Sequence, residues 1–368
     1  MTTEYFNPVK VIESLNWIDT WHESRETFGF DHTLIITYIE NVKRLKLDEI
    51  FKSDTIFTAV ENNPSFDSCQ QAIEFGRNRS FDSILAIGGG SVMDTAKAVM
   101  AALGTGLFSL KDLLSFKEPF PHRIPSIFIP TTHGTSSEVT MWATIWNRQN
   151  KKKYSLMHPE LYPDIAILDG SLTLSLPHDI SLSTTLDALS HGFEAIWNKN
   201  ANPQSTQYAI QAICLLLENI DGLKQDFGDI QIRRKLLTAS NIAGLAFSNT
   251  KTAAAHSISY PLTSLFNIPH GIAASMPLLP LIAINQDAIE DQLRQIRTNL
   301  NLKNNSALKD LIAAIPGGLV QFNLRDWGIN LKQISELTDL SFTKGRMDNN
   351  IIDLTKDDVS GILHEMYS

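Results

Sequence analysis

Along the first half of the chain, short apolar runs alternate with segments of helical period. HTLIITY, DTIFTAV, SILAIGGG and SIFIPTT read as buried strands, and CQQAIEFGRN and DTAKAVMAALG between them as helices. Nearly continuous apolar strands joined by helical crossovers predict a parallel sheet covered on both faces. KKKYS reads as a further strand. The pattern changes after DIAILDGSLTLSLP. From about residue 180 most segments have a 3.6-residue period, among them DALSHGFEAIWN, STQYAIQAICLLLENI, RRKLLTASNIAGLAF, AAAHSISYPLTSLF and DAIEDQLRQIRTNL. Pro163 and Pro177 flank the transition, which predicts an α/β domain over 1–176 and a helical domain over 177–368. No internal repeat or low-complexity tract interrupts either half.

Composition fits this picture and narrows the function. A chain of 368 residues with 43% hydrophobic and 19% charged residues buries a large core and accommodates two domains. The formal net charge is -9, and the longest basic run is KKK at 151–153, so no nucleic-acid partner is expected. Two cysteines, Cys69 and Cys214, make no disulfide framework; Cys214 lies in the apolar run AIQAICLLLENI and is expected to be buried. TTEYFNP after Met1 lacks the basic and apolar regions of a signal peptide, and no stretch reaches ~18 uninterrupted apolar residues. The expectation is a cytoplasmic, soluble protein with no membrane partner.

Two constellations carry chemistry. Asp187 and His191 lie four apart in TLDALSHGFEA, so a helix there presents both on one face. His256 in TAAAHSISYP and His270 in NIPHG complete one carboxylate and three imidazoles, a donor set suited to a catalytic divalent metal. Its net ligand charge of -1 leaves a positive centre, able to act as a Lewis acid toward an alcohol or aldehyde oxygen. The set accepts Fe²⁺, Zn²⁺, Mn²⁺ or Co²⁺. Upstream, LAIGGGSVMDTAKA reads as strand, glycine loop and helix start. Gly88, Gly89 and Gly90 allow close backbone approach to a phosphate, and Ser91 opens a helix whose N–H groups face it; Asp94 and Lys97 follow within that helix. The spacing is not GxGxxG. A metal centre and a phosphate cradle on one chain point to metal-assisted hydride transfer.

The ordered motifs GGGSVMDTAKA, PTTHGTSSEVT, LYPDIAILDGSLTLSLP, DALSHGFEA and the thirteen-residue gap from His256 to His270 resemble the iron-containing (group III) alcohol dehydrogenase family over nearly the whole chain. The resemblance implies a Rossmann-like α/β N-terminal domain and an all-α C-terminal domain, the dehydroquinate synthase-like architecture, with the active site between them. It implies NAD(P)-dependent interconversion of a small aldehyde and a primary alcohol, Fe²⁺ or sometimes Zn²⁺, and a homodimer or larger assembly. EVTMWATIWN, KKKYSLMHPELYPDIAILDG, EAIWNKNANP, SNTKTAAAHSISYPLT and DNNIIDLTKDDV look closest to the phosphonoacetaldehyde reductase branch, which would reduce phosphonoacetaldehyde to 2-hydroxyethylphosphonate. The alternatives are a dehydrogenase of neutral short-chain alcohols and a dehydroquinate synthase-like lyase.

By the same resemblance, Thr131, Thr132 and Thr135 contact the nicotinamide ribose and phosphates, Asn63 lies on the adenosine side, and Lys153 lies near the cleft. The chain departs from the family pattern at His133 and Ser136, where a small residue and Gly are usual; His133 either touches substrate or cofactor or is a surface-loop histidine. Tyr260 replaces a histidine often found near the nicotinamide, and either relays a proton or packs before Pro261. Tyr38 stands after the first strand where NAD-strict enzymes often place Asp, so NADP is not excluded. Asn249, Thr250 and Lys251, expected just before the helix carrying His256, are candidate ligands for a substrate anion; otherwise Lys251 is a solvated lysine.

Overall fold

The computed structural model describes residues 4–52, 55–147 and 152–367. Asp54, at the start of the second expected strand, and Lys151 of the basic run lie outside the described residues. The chain divides into two compact units, one of Asn7–Thr132 and Ser136–Thr173, the other of Leu174–Ser368 together with His133–Thr135 and the N-terminal residues up to Phe6.

The α/β unit is built on a six-stranded sheet of β1 (Lys10–Glu13), β2 (Thr33–Thr37), β3 (Ile56–Phe57), β4 (Ser83–Gly88), β5 (Ser126–Pro130) and β8 (Ile165–Leu168). The order is β1-β8-β5-β4-β2-β3, and every pairing is parallel. A separate antiparallel hairpin joins β6 (Trp142–Asn147) to β7 (Lys152–Met157). The helices are α1 (Trp17–Phe28), α2 (Ile39–Arg44), α3 (Leu47–Ile50), α4 (Phe66–Arg77), α5 (Gly90–Thr105) and α6 (Leu110–Ser115). Alternation along each strand divides the core in two. Leu34, Ile36, Ile84, Ala86 and Phe128 pack with Ile73, Val92 and Val99 of α4 and α5. Ile35, Leu85, Ile87, Ile127, Ile129, Ile165 and Ile167 pack with Trp17 and Trp21 of α1 and with Leu47. Strands covered on both faces read as unbroken apolar runs, which is why the sequence shows them clearly.

The helical unit begins with α7 (His178–Ile196), α8 (Pro203–Gln225), α9 (Ile230–Thr250), α10 (Ala254–Phe266) and α11 (His270–Ser275). Five further α-helices follow, ending with Lys356–Tyr367. Asn202 and Asp229 cap α8 and α9 by accepting from the N–H groups of their first turns. The stretch His270–Asn299 is long and apolar enough to cross a membrane by composition, but 67% of its apolar 18-residue window is buried in the protein, as expected of core helices. Tyr5 and Phe6 belong to this unit. Tyr5 donates to the Leu245 carbonyl, and Phe6 exchanges hydrogen bonds with the Asn249 side chain.

Candidate metal centre and nucleotide loop

The metal candidates lie wholly in the helical unit. Asp187 and His191 are one turn apart on α7, His256 is in the first turn of α10, and His270 opens α11. Gly271 explains how α11 comes so close to α7: a Cβ there would lie 2.0 Å from the Ser183 carbonyl oxygen and 3.0 Å from Asp187 Cβ. Only glycine permits that approach, which carries the neighbouring His270 to Asp187. One donor atom each from Asp187, His256 and His270 falls within 4.8 Å of the others. Asp187 Oδ1 and His256 Nε2 stand 3.6 Å apart, too far for a hydrogen bond but close to the edge of a tetrahedron with bonds of about 2.1–2.2 Å. His191 stands beside this trio, its ring stacked between Phe247 at 4.0 Å and His256 at 4.7 Å between centroids.

Burial supplies the test of fit. Asp187 Oδ1 and His256 Nε2 are buried without a hydrogen-bond partner. Orphaned donors and acceptors of this kind are rare in native proteins, and two that face each other across 3.6 Å, with His270 within reach of both, are accounted for by a bound cation. Burial alone would raise the Asp187 carboxyl, but His191, His256 and His270 outweigh it and hold it well below the usual carboxylate range. Burial pulls His191 down to about 4. Burial also disfavours charge on His256, but Glu194 and Asp187 overcome it and hold this imidazole up at about 10.

Glu194 is the residue the sequence reading passed over. It is fully buried on α7, three residues after His191. One oxygen accepts from the N–H groups of Ala253 and His256 at 2.9 and 3.0 Å, and the other pairs with His256 Nδ1. It therefore fixes both the start of α10 and the orientation of the His256 ring, leaving Nε2 toward Asp187. The signal was a further carboxylate one turn beyond His191 on the same helix, amid the apolar residues Phe193, Ala195 and Ile196. Glu194→Gln should weaken Zn²⁺ binding by roughly 10–100-fold while the helical unit still folds; isothermal titration of metal-free protein checks this, and unchanged affinity would remove the assigned role.

The same carboxylate bears on the expected anion site. Asn249 and Thr250 are the last residues of α9, Lys251 caps that end at φ 64°, and α10 begins at Ala254. Glu194 takes the Ala253 and His256 amides at that start, Asn249 is tied to Phe6, and the Thr250 hydroxyl donates to the Lys251 carbonyl. Tyr260, one turn beyond His256, is half-buried and lies 6.4 Å from the His270 ring; its oxygen accepts from Arg346 Nε at 3.3 Å. His133 is neither a surface histidine nor open to substrate. It is fully buried, with one ring nitrogen against Arg233 and the other against Thr184 and Thr185. Thr135 shares its segment.

The nucleotide candidates gather at the carboxyl ends of β2 and β4. Chain order reverses between these neighbouring strands, since β3 lies outside β2 and β5 outside β4, and ligands of open α/β sheets bind at such points. A Cβ on Gly88 would lie 2.4 Å from Val92, and one on Gly89 3.0 Å from Thr132. These contacts show why the loop is glycine and place Thr132 against it. Thr131 donates from its backbone to the Gly88 carbonyl, and Gly90 and Ser91 start α5 with N–H groups that have no intrahelical partner. The Ser91 hydroxyl accepts from the Asn63 backbone, and the Tyr38 hydroxyl donates to the neighbouring Asn62, which gathers the candidate positions Tyr38, Asn63 and Ser91. Asp94 is half-buried, one oxygen accepting from the Ser137 hydroxyl and the other from the Thr144 amide, so it braces the fold from within α5. Lys153 lies on β7 with its ammonium 5.8 Å from the centre of the Trp146 ring.

Comparison with known proteins agrees with this geometry. The iron-containing alcohol dehydrogenase profile matches residues 10–170, and the C-terminal profile of the Fe-containing alcohol dehydrogenase family matches 181–367. Long-chain-alcohol dehydrogenase 1 of Geobacillus thermodenitrificans is 34% identical over 69% of this chain, a match spanning 66% of that relative's own length. The 1,3-propanediol dehydrogenase of Klebsiella pneumoniae is 29% identical over 85% of this chain and 83% of its own. The crystal structure of sulfoacetaldehyde reductase from Bifidobacterium kashiwanohense in complex with NAD⁺ superposes with a TM-score of 0.92 at 28% identity, covering 100% of this chain and 99% of that one. With profiles matched across both units and a relative above 30% identity over two thirds of the sequence, the chain belongs to the iron-containing alcohol dehydrogenase family.

Proposed function

We propose that this protein is a metal-dependent NAD(P)H aldehyde reductase whose substrate is a small anionic aldehyde, phosphonoacetaldehyde being the first candidate. The buried Asp187–His256–His270 cluster beside His191 is the observation that carries the reading. These residues would hold the divalent metal, Fe²⁺ first and Zn²⁺ next. The Gly88–Ser91 turn, with Tyr38, Asn63, Thr131, Thr132 and Thr135, would hold the dinucleotide. When bound, the metal polarises the aldehyde oxygen and the nicotinamide supplies the hydride. Glu194 keeps His256 in the orientation that presents Nε2. Tyr260, with its oxygen held by Arg346, orders the water that returns the proton to the product alcohol. Tyr38 brings no carboxylate against a 2′-phosphate, which supports use of NADPH as well as NADH. The family resemblance supports a cytoplasmic homodimer.

Two observations support an anionic substrate. The segments quoted above resemble the phosphonoacetaldehyde reductase branch, and a structural relative at 28% identity is named for sulfoacetaldehyde, also an anionic aldehyde. Beside Lys251, Arg346 is a second candidate cation. It is half-buried, makes no ion pair among the described residues, and is hydrogen-bonded to the tyrosine one turn from His256. The expected result is a kcat/KM for phosphonoacetaldehyde roughly 10–100-fold above that for propanal, with Arg346→Met removing most of the difference, as loss of a charge-assisted contact of about 1.5–3 kcal/mol would. Equal values for the two aldehydes would favour a neutral-alcohol dehydrogenase, consistent with the names of the Geobacillus and Klebsiella relatives.

A further inference from the structure

Arg233 is fully buried on α9 and makes no ion pair with a carboxylate among the described residues. Its Nε donates to the Phe227 carbonyl at 3.0 Å, and its Nη1 donates to Ser181 Oγ at 2.7 Å and to His133 Nε2 at 3.0 Å. A guanidinium only donates, so His133 Nε2 accepts, and a neutral ring then carries its proton on Nδ1. The remaining contacts agree. Nδ1 faces Thr185 Oγ1 at 3.1 Å and Thr184 Oγ1 at 3.3 Å, and both threonine hydroxyls donate elsewhere, to the carbonyls of Ser181 and Ile180. Their oxygens are thus left to accept from the ring. Burial first, and Arg233 second, push His133 down to about 3, so the acceptor stays neutral at any working pH.

This pair pins a short loop against α7. Residues 133–135 are an excursion from the α/β chain into the helical unit. Gly134 sits so close to α7 that a Cβ would lie 2.6 Å from the Thr184 carbonyl oxygen, and its backbone hydrogen-bonds the His191 ring. Thr184, Thr185, Asp187 and His191 all lie on two turns of α7, and Phe247 of α9 closes the other face of the His191 ring.

We propose that His133 is a positioning residue for the metal site: as the neutral acceptor of buried Arg233 it holds the 133–135 loop on α7, and Gly134 in that loop sets His191. The inference rests on the reading of the Asp187–His256–His270 cluster as a metal site. Because the acceptor is a neutral imidazole, the loop is held without adding negative charge near Asp187 and Glu194.

The test is Co²⁺ binding to metal-free protein, followed by visible absorption, with the melting temperature of each metal-free variant measured in parallel. His133→Leu removes the acceptor and should weaken Co²⁺ binding by roughly 10–100-fold. His133→Gln retains an oxygen for Arg233 and should bind within about threefold of wild type, whatever its melting temperature. If His133→Leu does not fold, Thr185→Val, which removes an acceptor of Nδ1, should weaken Co²⁺ in the same direction. Wild-type affinity in His133→Leu or Thr185→Val overturns the proposal, as does an equal loss in His133→Leu and His133→Gln. A wild-type protein that takes up no Co²⁺ overturns the metal-site reading itself, a distinguishable result.

Discussion

His256→Ala should abolish metal retention and turnover and also destabilise the helical unit, whereas His270→Ala should abolish metal retention and leave the unit folded. The two ligands differ because of what lies behind them. His256 stands between two buried carboxylates, Asp187 Oδ1 at 3.6 Å and Glu194 on its far nitrogen, and in the metal-free protein this imidazolium is their counter-charge. Removing it strands Glu194, which is 0% exposed, at an expected cost of about 3–5 kcal/mol. His270 is half-buried at the start of α11, and its loss leaves Glu194 with its partners on α10. Loss of either ligand should weaken metal binding at least ~1000-fold, about 4 kcal/mol. Metal analysis after dialysis and chemical denaturation of the metal-free variants check both halves. Equal stability of the two alanine variants would refute the account of Glu194.

Lys97→Met should destabilise the α/β unit by roughly 3–5 kcal/mol, a larger effect than expected for most positions in the sheet. Its ammonium is completely buried inside α5 and donates to the Ser137 carbonyl and hydroxyl, the Thr140 hydroxyl and the Trp142 carbonyl, at 2.7–3.0 Å. Methionine matches its length but leaves those acceptors, and nearby Asp94, uncompensated. Burial pushes the lysine down to about 8, against the opposing pull of Asp94 and Glu138. Because the folded value lies below the unfolded 10.5, the unfolded chain binds more protons between these limits, and wild-type stability from this group rises with pH there. The contribution is complete above about 10.5 and lost as pH falls through about 8. Unfolding midpoints from pH 7 to 10.5 should therefore diverge between wild type and Lys97→Met, and parallel curves would contradict the assignment.

The legibility of this chain follows from the physics of each element. The parallel strands β2, β4 and β5 were plain because both faces are buried, while β1 (KVIE) is a short edge strand with a mixed pattern and gave no signal. The α7 helix and the Asp187–His191 pair were readable from period alone. The boundary near 176 lies close to the observed change at 173–174, but no local pattern marks His133–Thr135 as belonging to the helical unit. Side-chain roles set by long-range contacts were the ones missed. Glu194 reaches α10, Arg233 reaches His133 a hundred residues away, and Asp94 turns inward to Ser137 and Thr144. The candidate anion site at Asn249–Lys251 shows the same limit: a helix start offers an anion only its unspent amides, and Glu194 takes those of Ala253 and His256.

The central claim is that the Asp187, His191, His256 and His270 cluster makes this protein a metal-dependent reductase. The most direct measurement is NADH and NADPH oxidation by purified, metal-depleted protein with phosphonoacetaldehyde and with propanal, before and after addition of Fe²⁺ or Zn²⁺ under anaerobic conditions. The account predicts negligible turnover without metal, recovery with about one ion per chain, and no recovery in His270→Ala. Turnover that is unaffected by metal removal, or full activity in His270→Ala, would contradict it.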